Sequence, residues 1–374
     1  MYINGYGSWG NCSDAHTRID ILNRFSPWYT NNFRIRSYGY IDDGHILYCR
    51  TNPHSQDIFD YHELDKNANL IKIQGETYAK RIDNFVSHCF HNFKLKQVIP
   101  LKGWCSWNTY FQYISPEKIK TQISYAKIIK ENLDKDFKYF LIDFGYSNVG
   151  DLITNNNQWI YKSIEDINSQ GLISGIWINP FTSIHKFEHN THIKSKFKKL
   201  FLRTVACNSN KIIPLYLMSI HDFEYQELLL NRIKYLYDLG IRLFKFDFNI
   251  FLFWQNENYL DILKIYRKFY LNVRKVAPKA ILIGCGVPLF DSIGLFDYVR
   301  VTKDSLIAPF SPKQIRNFVQ NIRQQDINRA IKVRKPFDGL LWHADYDQID
   351  DPKIYIKSND KIKMAGFDLK KMLT

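Results

Sequence analysis

The feature that most constrains the fold is a regular alternation of short apolar strands with amphipathic helices, which runs from Val98 to Ala344. The strand segments are apolar almost throughout, which is typical of parallel strands that are buried on both faces. Helices would connect each strand to the next parallel one. Seven strands are predicted, near residues 104, 141, 176, 244, 282, 299 and 341. The pattern therefore predicts an α/β protein built around a parallel sheet.

Carboxylates stand at or just after the ends of four of these strands, at Asp143, Asp247, Asp304 and Asp345. A (β/α)8 barrel keeps its chemistry at the carboxyl ends of its strands, so this distribution favours a TIM-type barrel. A doubly wound sheet is the alternative, but neither a G-x-G-x-x-G nor a Walker loop follows the first strand. Closure of the barrel needs an eighth strand, for which residues 361–366 are the candidate, with almost no helix before them.

The chain divides into three predicted parts. In residues 1–96, Gly, Asn, Asp and Ser punctuate short aromatic and β-branched segments, which predicts irregular β-structure. Residues 97–350 are predicted to form the barrel, and 351–374 a tail that contains the candidate eighth strand. Within the barrel, Ser115-Pro116 and Ser311-Pro312 each predict a helix start, with a capping serine before a proline in the first turn.

Composition narrows the classes of partner. The net formal charge is +14, but the lysines are scattered, so nucleic-acid binding is not predicted. The six cysteines form no C-x-x-C and no metal-ligand spacing, which predicts reduced thiols and no metal. The sequence has neither a basic start with an apolar run nor an apolar stretch of about 20 residues, so we expect a cytoplasmic protein without a membrane partner. The oligomeric state is not predicted.

The segment Phe244-Lys245-Phe246-Asp247-Phe248 is the first candidate for chemistry. Side chains alternate faces along a strand, so Lys245 and Asp247 would both point into the barrel mouth while the phenylalanines pack outward. An ammonium beside a buried carboxylate keeps it ionised, as a nucleophile requires. The alternative interpretation is a structural Lys–Asp pair at a strand end.

Asp304 is the second candidate, after the next strand but one. Two carboxylates that flank a pocket, one ionised and one free to carry a proton, form the arrangement for glycoside hydrolysis. A retaining mechanism places them about 5–5.5 Å apart. Taken alone, Asp304 is equally consistent with a loop cap.

A series of motifs resembles glycoside hydrolase family 36, the α-galactosidase or melibiase-like family of clan D. In chain order these are Asn4-Gly-Tyr-Gly-Ser-Trp9, Gly103-Trp-Cys-Ser-Trp107, Ile142-Asp-Phe-Gly145, Gly175-Ile-Trp-Ile-Asn-Pro180, Lys245-Phe-Asp247, Gly284-Cys-Gly-Val-Pro-Leu289, Arg300-Val-Thr-Lys-Asp304 and Trp342-His-Ala-Asp-Tyr-Asp347. Each motif alone is weak, but their common order makes the resemblance specific. It covers most of residues 1–9 and 100–347, and it implies a (β/α)8 barrel that hydrolyses terminal α-D-galactosyl residues with retention.

The resemblance implies a role for each matching residue. Asp247 corresponds to the nucleophile and Asp304 to the general acid/base. The implied substrate ligands are Asp143, Lys245 and Arg300, with Trp107 and Trp177 as walls of the −1 subsite and Cys285 as a lining residue. The two tryptophans are also consistent with ordinary barrel core, and Cys285 with a small buried residue. No cofactor is implied, and the partner is an oligosaccharide or glycoside.

The sequence also departs from the family pattern. The family has two adjacent carboxylates after the second strand, which hold the 4- and 6-hydroxyls of galactose, but here the second is Phe144. From this sequence we expect a shortened N-terminal β-domain and a barrel without the C-terminal β-sandwich of the family. These departures keep two alternatives open, a non-catalytic sugar-binding relative and a transglycosylase of the raffinose-synthase type.

Overall fold

A computed structural model describes most of the chain from residue 94 onward. The described residues are 94–97, 99–147, 158–183, 216–219, 221–254, 259–289, 292–302, 304 and 334–374, with isolated positions in 80–87 and 320–331. Of residues 1–74 and 191–192 it describes only the backbone of β-strands. The predicted helix start at Ser311-Pro312 lies outside the described residues.

Five strands near the N-terminus form an antiparallel sheet, as expected for a β-rich segment. They are β1 (Tyr2–Asn4), β2 (Cys12–Ser13), β3 (Ser37–Ile41), β4 (His45–Arg50) and β5 (Ile71–Gln74). Their order in the sheet is β2-β1-β3-β4-β5.

Eight parallel strands form the central sheet, which confirms the predicted (β/α)8 architecture. They are β6 (Leu101–Cys105), β7 (Tyr139–Ile142), β8 (Ile173–Ile178), β12 (Leu243–Phe246), β13 (Ile281–Gly284), β14 (Tyr298–Arg300), β15 (Ala344–Asp345) and β16 (Ile362–Ala365). Their sheet order follows the chain from β6 to β15, and β16 pairs with β6. Between β8 and β12, a small antiparallel sheet contains β9 (Thr182–Ser183), β10 (Thr191–His192) and β11 (Tyr216–Leu217).

The barrel closes almost completely through β16, which falls on the predicted eighth strand. Ile362 pairs in register with Leu101 on one side. On the other side, Ile349 forms an isolated parallel bridge to Ala365, and its N–H donates to the Met364 carbonyl at 2.9 Å. The predicted C-terminal tail therefore contributes a strand to the barrel.

Helices cover the outside of the sheet. They are α1 (Ser106–Tyr110), α2 (Pro116–Asn132), α3 (Gln158–Ser169), α4 (Phe223–Asp238), α5 (Tyr259–Val276) and α6 (Pro352–Lys357), with 3-10 turns at Asn249–Trp254, Lys335–Phe337 and Leu369–Met372. The predicted cap of α2 is confirmed, because the Ser115 Oγ accepts from the Lys118 N–H at 3.3 Å. The helix α6, which was not predicted, precedes β16 and has only 6 residues.

The prediction for the seventh strand, residues 340–344, was wrong in its position. β15 contains only Ala344 and Asp345. The chain before it turns: Gly339 has a φ of 81°, and its N–H donates to the Trp342 carbonyl at 2.8 Å. The Asp338 carboxylate accepts from the Ala344 N–H at 2.9 Å. Turn hydrogen bonds thus take the backbone groups that a longer strand would have paired.

Two apolar layers hold the strand ends in place. Inside the barrel, side chains such as Leu141, Leu243 and Ile283 form one buried cluster. Outside it, Phe244 and Phe246 belong to the cluster between sheet and helices, and the Phe246 ring lies 5.2 Å from that of Tyr270 on α5. The predicted alternation of faces along β12 is therefore observed, and it directs the residues between the phenylalanines into the barrel.

Candidate active site

Charged side chains converge at the carboxyl end of the barrel. Asp143 and Asp247 directly follow β7 and β12, whereas Arg300 and Asp345 are the last residues of β14 and β15. Because the strands are parallel, these residues lie at the same end of the sheet. Asp143, Arg300 and Asp345 are buried and Asp247 is half-buried. Charges in such a setting need partners, and the pairing defines the site.

Lys245 pairs with Asp143. The sequence had suggested Asp247 as the partner of this lysine. Its Nζ donates to the Asp143 Oδ2 at 2.7 Å, and the two side chains are only 5% and 2% exposed. Burial alone would lower the pKa of Lys245, but the Asp143 carboxylate, together with Cys285 and Cys105, raises it by more, and the net shift is upward. The long lysine side chain therefore crosses from β12 to the end of β7, a contact that strand periodicity does not show.

Asp143 is held by three further contacts from its surroundings. Its Oδ2 also accepts from the Cys105 thiol at 3.3 Å, and its Oδ1 accepts from the Phe144 N–H at 2.7 Å. Its own N–H donates to the Ser106 Oγ at 2.9 Å. The carboxylate and the Lys245 ammonium thus form a fixed pair at the floor of the barrel mouth.

Asp247 has two N–H donors on its carboxylate. The Trp177 indole Nε1 donates to Oδ2 at 3.3 Å, and the Phe248 N–H donates to Oδ1 at 2.7 Å. The backbone of Phe248 has a φ of 55°, a left-handed conformation that is uncommon for a bulky residue. Such strained residues concentrate at functional sites, and here the strained peptide holds Asp247 in one orientation.

Aromatic rings surround Asp247 on the side of β7 and β8. The Phe144 and Trp177 ring centroids lie 5.0 Å apart, and Trp107 lies 6.2 Å from Phe144. Phe248 meets Trp177 edge-on at 5.8 Å. Trp107 is half-buried, and the other three rings are buried. The position that the motif assigns to a second carboxylate is therefore part of an apolar wall.

Arg300 faces three carboxylates. Its Nε donates to the Asp345 Oδ2 at 2.9 Å, and its Nη1 lies 2.6 Å from the Asp347 Oδ1 and 3.2 Å from the Asp304 Oδ1. The Nη1 and the Asp347 oxygen are not aligned as donor and acceptor, so this contact is an ion pair and not a directed hydrogen bond. Arg300 therefore connects Asp304 with two buried carboxylates.

Asp304 differs from Asp247 in its electrostatic surroundings. Burial of the carboxyl group and the negative charge of Asp347 raise its pKa to about 6, against the lowering effect of Arg300. The whole side chain is nevertheless 40% exposed, so solvent screens part of this effect. An Asp with a raised pKa can carry a proton near neutral pH, which suits a general acid.

Cys285 lies inside the barrel next to this site. It is buried, and burial raises the pKa of its thiol, as it does for Cys105. Both cysteines are free thiols.

Within the described part of the chain, no group of three or more His, Cys, Asp or Glu side chains is arranged to hold a metal ion. None of the described helices is both long enough and apolar enough to cross a membrane.

Two kinds of residue at the site were not predicted from the sequence. Asp345 and Asp347 were noted only as a strand end and part of a motif, although a carboxylate at a strand end is itself a signal. Asn249 was not noted at all. Its Nδ2 donates to the Phe246 carbonyl at 3.1 Å and to the Cys285 carbonyl at 2.7 Å, which ties the ends of β12 and β13 together. No pattern in the sequence indicates that contact.

Solved structures with a similar fold include α-galactosidases, although no protein-family model matches the chain. The α-galactosidase TtGalA from Thermus thermophilus, in complex with p-nitrophenyl α-D-galactopyranoside, has a TM-score of 0.64 and 17% identity, over 100% of this chain and 84% of that one. Its stachyose complex gives 0.62 and 17%, over 97% and 85%. The family 36 α-galactosidase AgaA from Geobacillus stearothermophilus gives 0.53 and 11%, over 81% and 44%. The chain thus shares the fold of α-galactosidases of the glycoside hydrolase family 36 type, over its whole length in the Thermus structure.

Proposed function

We propose that the chain is a retaining glycoside hydrolase that cleaves terminal α-D-galactosyl or closely related residues. The observation that carries this proposal is the contrast between two carboxylates at the barrel mouth. Asp247 is fixed by two N–H donors, whereas the pKa of Asp304 is raised to about 6. Two carboxyl groups in different environments divide the roles of nucleophile and acid.

The proposed reaction is a double displacement. The Asp247 carboxylate attacks the anomeric carbon, and the Asp304 proton passes to the glycosidic oxygen as the bond to the leaving group breaks. The product is a glycosyl ester on Asp247. Asp304, now ionised, takes a proton from water, whose oxygen attacks the same carbon and releases the sugar and the Asp247 carboxylate. The proposed cycle ends with both groups in their starting states.

Substrate contacts in this proposal come from the remaining residues of the site. We propose that Asp143, Lys245 and Arg300 form hydrogen bonds with sugar hydroxyls. Trp107 and Trp177 would form walls of the −1 subsite, and Cys285 would line it. The position of all six around the carboxyl ends of the strands supports the assignment. An α-galactoside is favoured because the Thermus enzyme with the same fold is an α-galactosidase in complex with a nitrophenyl galactoside and with stachyose.

One observation favours a second candidate, a sugar-binding protein without catalysis. Phe144 is packed between Trp107 and Trp177, where the motif of family 36 has a carboxylate. A pocket that lacks this hydrogen-bond acceptor could bind a sugar without holding it for attack. A raffinose-synthase-like transglycosylase is a further alternative, which requires an acceptor site.

The deciding experiment is hydrolysis of p-nitrophenyl α-D-galactopyranoside by the full chain, with Asp247→Asn as the matched control. We expect nitrophenol release by the wild type and a loss of several orders of magnitude in the variant. Proton NMR of the first sugar released should show the α-anomer. Binding of galactose without turnover would establish the sugar-binding alternative, and a β-anomer would contradict the retaining mechanism. Transfer to raffinose or sucrose in place of water would identify a transglycosylase.

A further inference from the structure

The Arg300 guanidinium, at the end of β14, forms ion pairs with three carboxylates, those of Asp304, Asp345 and Asp347. Arg300, Asp345 and Asp347 have side chains that are 4%, 5% and 0% exposed, so these three residues are nearly closed to water. With all three carboxylates ionised, one positive and three negative charges leave a formal charge of −2 in this cluster. A charge of this size, with two of the three carboxylates buried, is unfavourable unless a group takes up a proton.

Of the three carboxylates, Asp304 lies farthest from the Arg300 guanidinium. The same nitrogen, Nη1 of Arg300, forms an ion pair with the Asp347 oxygen at 2.6 Å and donates a longer hydrogen bond to the Asp304 oxygen at 3.2 Å. Attraction falls with distance and is screened by solvent. Asp347 is closer and fully buried, whereas Asp304 is farther away and 40% exposed. A proton that enters the cluster is therefore expected on Asp304.

The backbone fixes Asp347 in this place. Its φ of 89° lies in a region that few residues other than glycine adopt. Its N–H donates to the Asp345 Oδ1 at 2.9 Å, and the other oxygen of that carboxylate accepts from Arg300 Nε. The three buried residues thus hold one another, and none of these contacts requires Asp304.

We propose that Asp347 is a positioning residue that lies closest to the shared Arg300 nitrogen, adds a negative charge beside Asp304, and so keeps the proton on Asp304 while Asp247 is ionised. This inference rests on the role of acid/base that is proposed for Asp304. It assigns to the carboxylate that follows β15 a function in proton transfer, although that carboxylate does not contact the reacting atoms.

Other charged groups also shift the pKa of Asp304. Arg300, Lys245 and Arg323 are positive and favour its ionised form, whereas Asp347 and burial favour the protonated form. Arg323 also donates to the Asp304 backbone carbonyl at 3.3 Å. The net result of these influences is a raised pKa for Asp304, which agrees with the geometry.

The test is a titration of Asp304 in the full chain labelled with ¹³Cγ aspartate, with its NMR signal assigned by its loss in Asp304→Asn. In Asp347→Asn the negative charge is gone and Arg300 is released toward Asp304. We expect the pKa of Asp304 to fall by roughly one pH unit. Asparagine retains the shape of aspartate and tolerates positive φ, so the backbone should be preserved.

A second variant and a control keep the result interpretable. Asp347→Gly removes the same charge and suits a φ of 89°, so it tests the proposal if the asparagine variant does not fold. Asp297→Asn removes a carboxylate that pairs with Arg274 at 2.8 Å, just before the opposite end of β14, and should leave Asp304 unchanged. An unchanged titration in the folded Asp347 variants, or an equal fall in the control, would overturn the inference. The titration needs no turnover, so an inactive wild type would contradict only the proposed function.

Discussion

The Nζ of Lys245 lies 2.7 Å from the Oδ2 of Asp143, an ion pair that joins β12 to the end of β7 inside the barrel. Both side chains are almost fully buried, so each charge depends on the other. Breaking a buried pair on one side typically costs about 3–5 kcal/mol, because an uncompensated charge remains. The pair therefore contributes to the integrity of the barrel mouth as well as to the proposed substrate contacts.

We predict that Lys245→Met lowers the free energy of unfolding by about 3–5 kcal/mol, and that adding Asp143→Asn restores part of the loss. Chemical denaturation followed by tryptophan fluorescence measures both effects. The matched control is Lys234→Met, which removes an exposed pair of similar length, 2.6 Å from Lys234 to Asp238. That change should cost at most about 1 kcal/mol. Similar losses in the two single variants would contradict the importance of burial.

The second prediction concerns the nucleophile. Asp247→Ala should reduce turnover of an aryl α-galactoside by several orders of magnitude, because no group remains to form the glycosyl ester. Azide, which is small enough to take the place of the lost carboxylate, should restore release of the phenol and give a glycosyl azide of inverted anomeric configuration. Product analysis by NMR checks the configuration. Nearly full activity in Asp247→Ala without azide would show that another residue is the nucleophile.

The third prediction concerns proton transfer by Asp304. Its pKa is raised to about 6 by burial and by the charge of Asp347. The protonated form is the active acid, and deprotonation occurs as the pH rises. The kcat/KM for a substrate with a poor leaving group should therefore decline above about pH 6, by up to tenfold per unit. A pH–rate profile with a disaccharide substrate measures this limb.

The same role predicts a dependence on the leaving group. Asp304→Ala should slow a disaccharide far more than a nitrophenyl glycoside, because only the former needs the proton to leave. The alkaline limb of the profile should also disappear in the variant. Equal losses on the two substrates would instead indicate that Asp304 has a structural role.

Much of the fold was predictable because strands that are buried on both faces are apolar at almost every position. The apolar runs around Leu141, Ile176 and Phe244 have no alternative environment of comparable stability, and each forms a barrel strand. The strand after residue 340 was misplaced because turn hydrogen bonds around Gly339, which depend on its φ of 81°, displaced it. An apolar run does not by itself reveal such a turn.

The site was predictable in its residue types and less so in its pairings. Strand alternation places Lys245 and Asp247 on one face. The lysine side chain is long enough, however, to reach Asp143 at the end of β7, and it pairs with that residue. The contact of Asp347 with Arg300 depends on a positive φ at an aspartate, which no spacing rule indicates. Local patterns therefore identify which groups reach the barrel mouth, whereas tertiary packing decides which of them meet.

The last prediction concerns sugar specificity and depends on Phe144. A phenyl ring cannot accept a hydrogen bond, and a buried sugar hydroxyl without a partner costs about 1–3 kcal/mol. A β-L-arabinopyranoside superposes on an α-D-galactoside but lacks the hydroxymethyl group, so it loses less beside this ring. We therefore predict that Phe144→Asp lowers the ratio of kcat/KM for arabinopyranoside over galactoside by about tenfold, which corresponds to about 1.4 kcal/mol.

The matched control for that ratio is Phe144→Leu, which keeps the position apolar and removes only the ring contacts with Trp107 and Trp177. We expect this variant to lose activity on both substrates to a similar degree and to keep the wild-type ratio. The comparison separates the chemistry of the side chain from the packing of the aromatic wall, because both variants disturb the packing and only one adds an acceptor. An unchanged ratio in Phe144→Asp would mean that another carboxylate, such as Asp151 outside the described residues, already binds the hydroxyls. The apolar wall would then have no part in the choice of sugar.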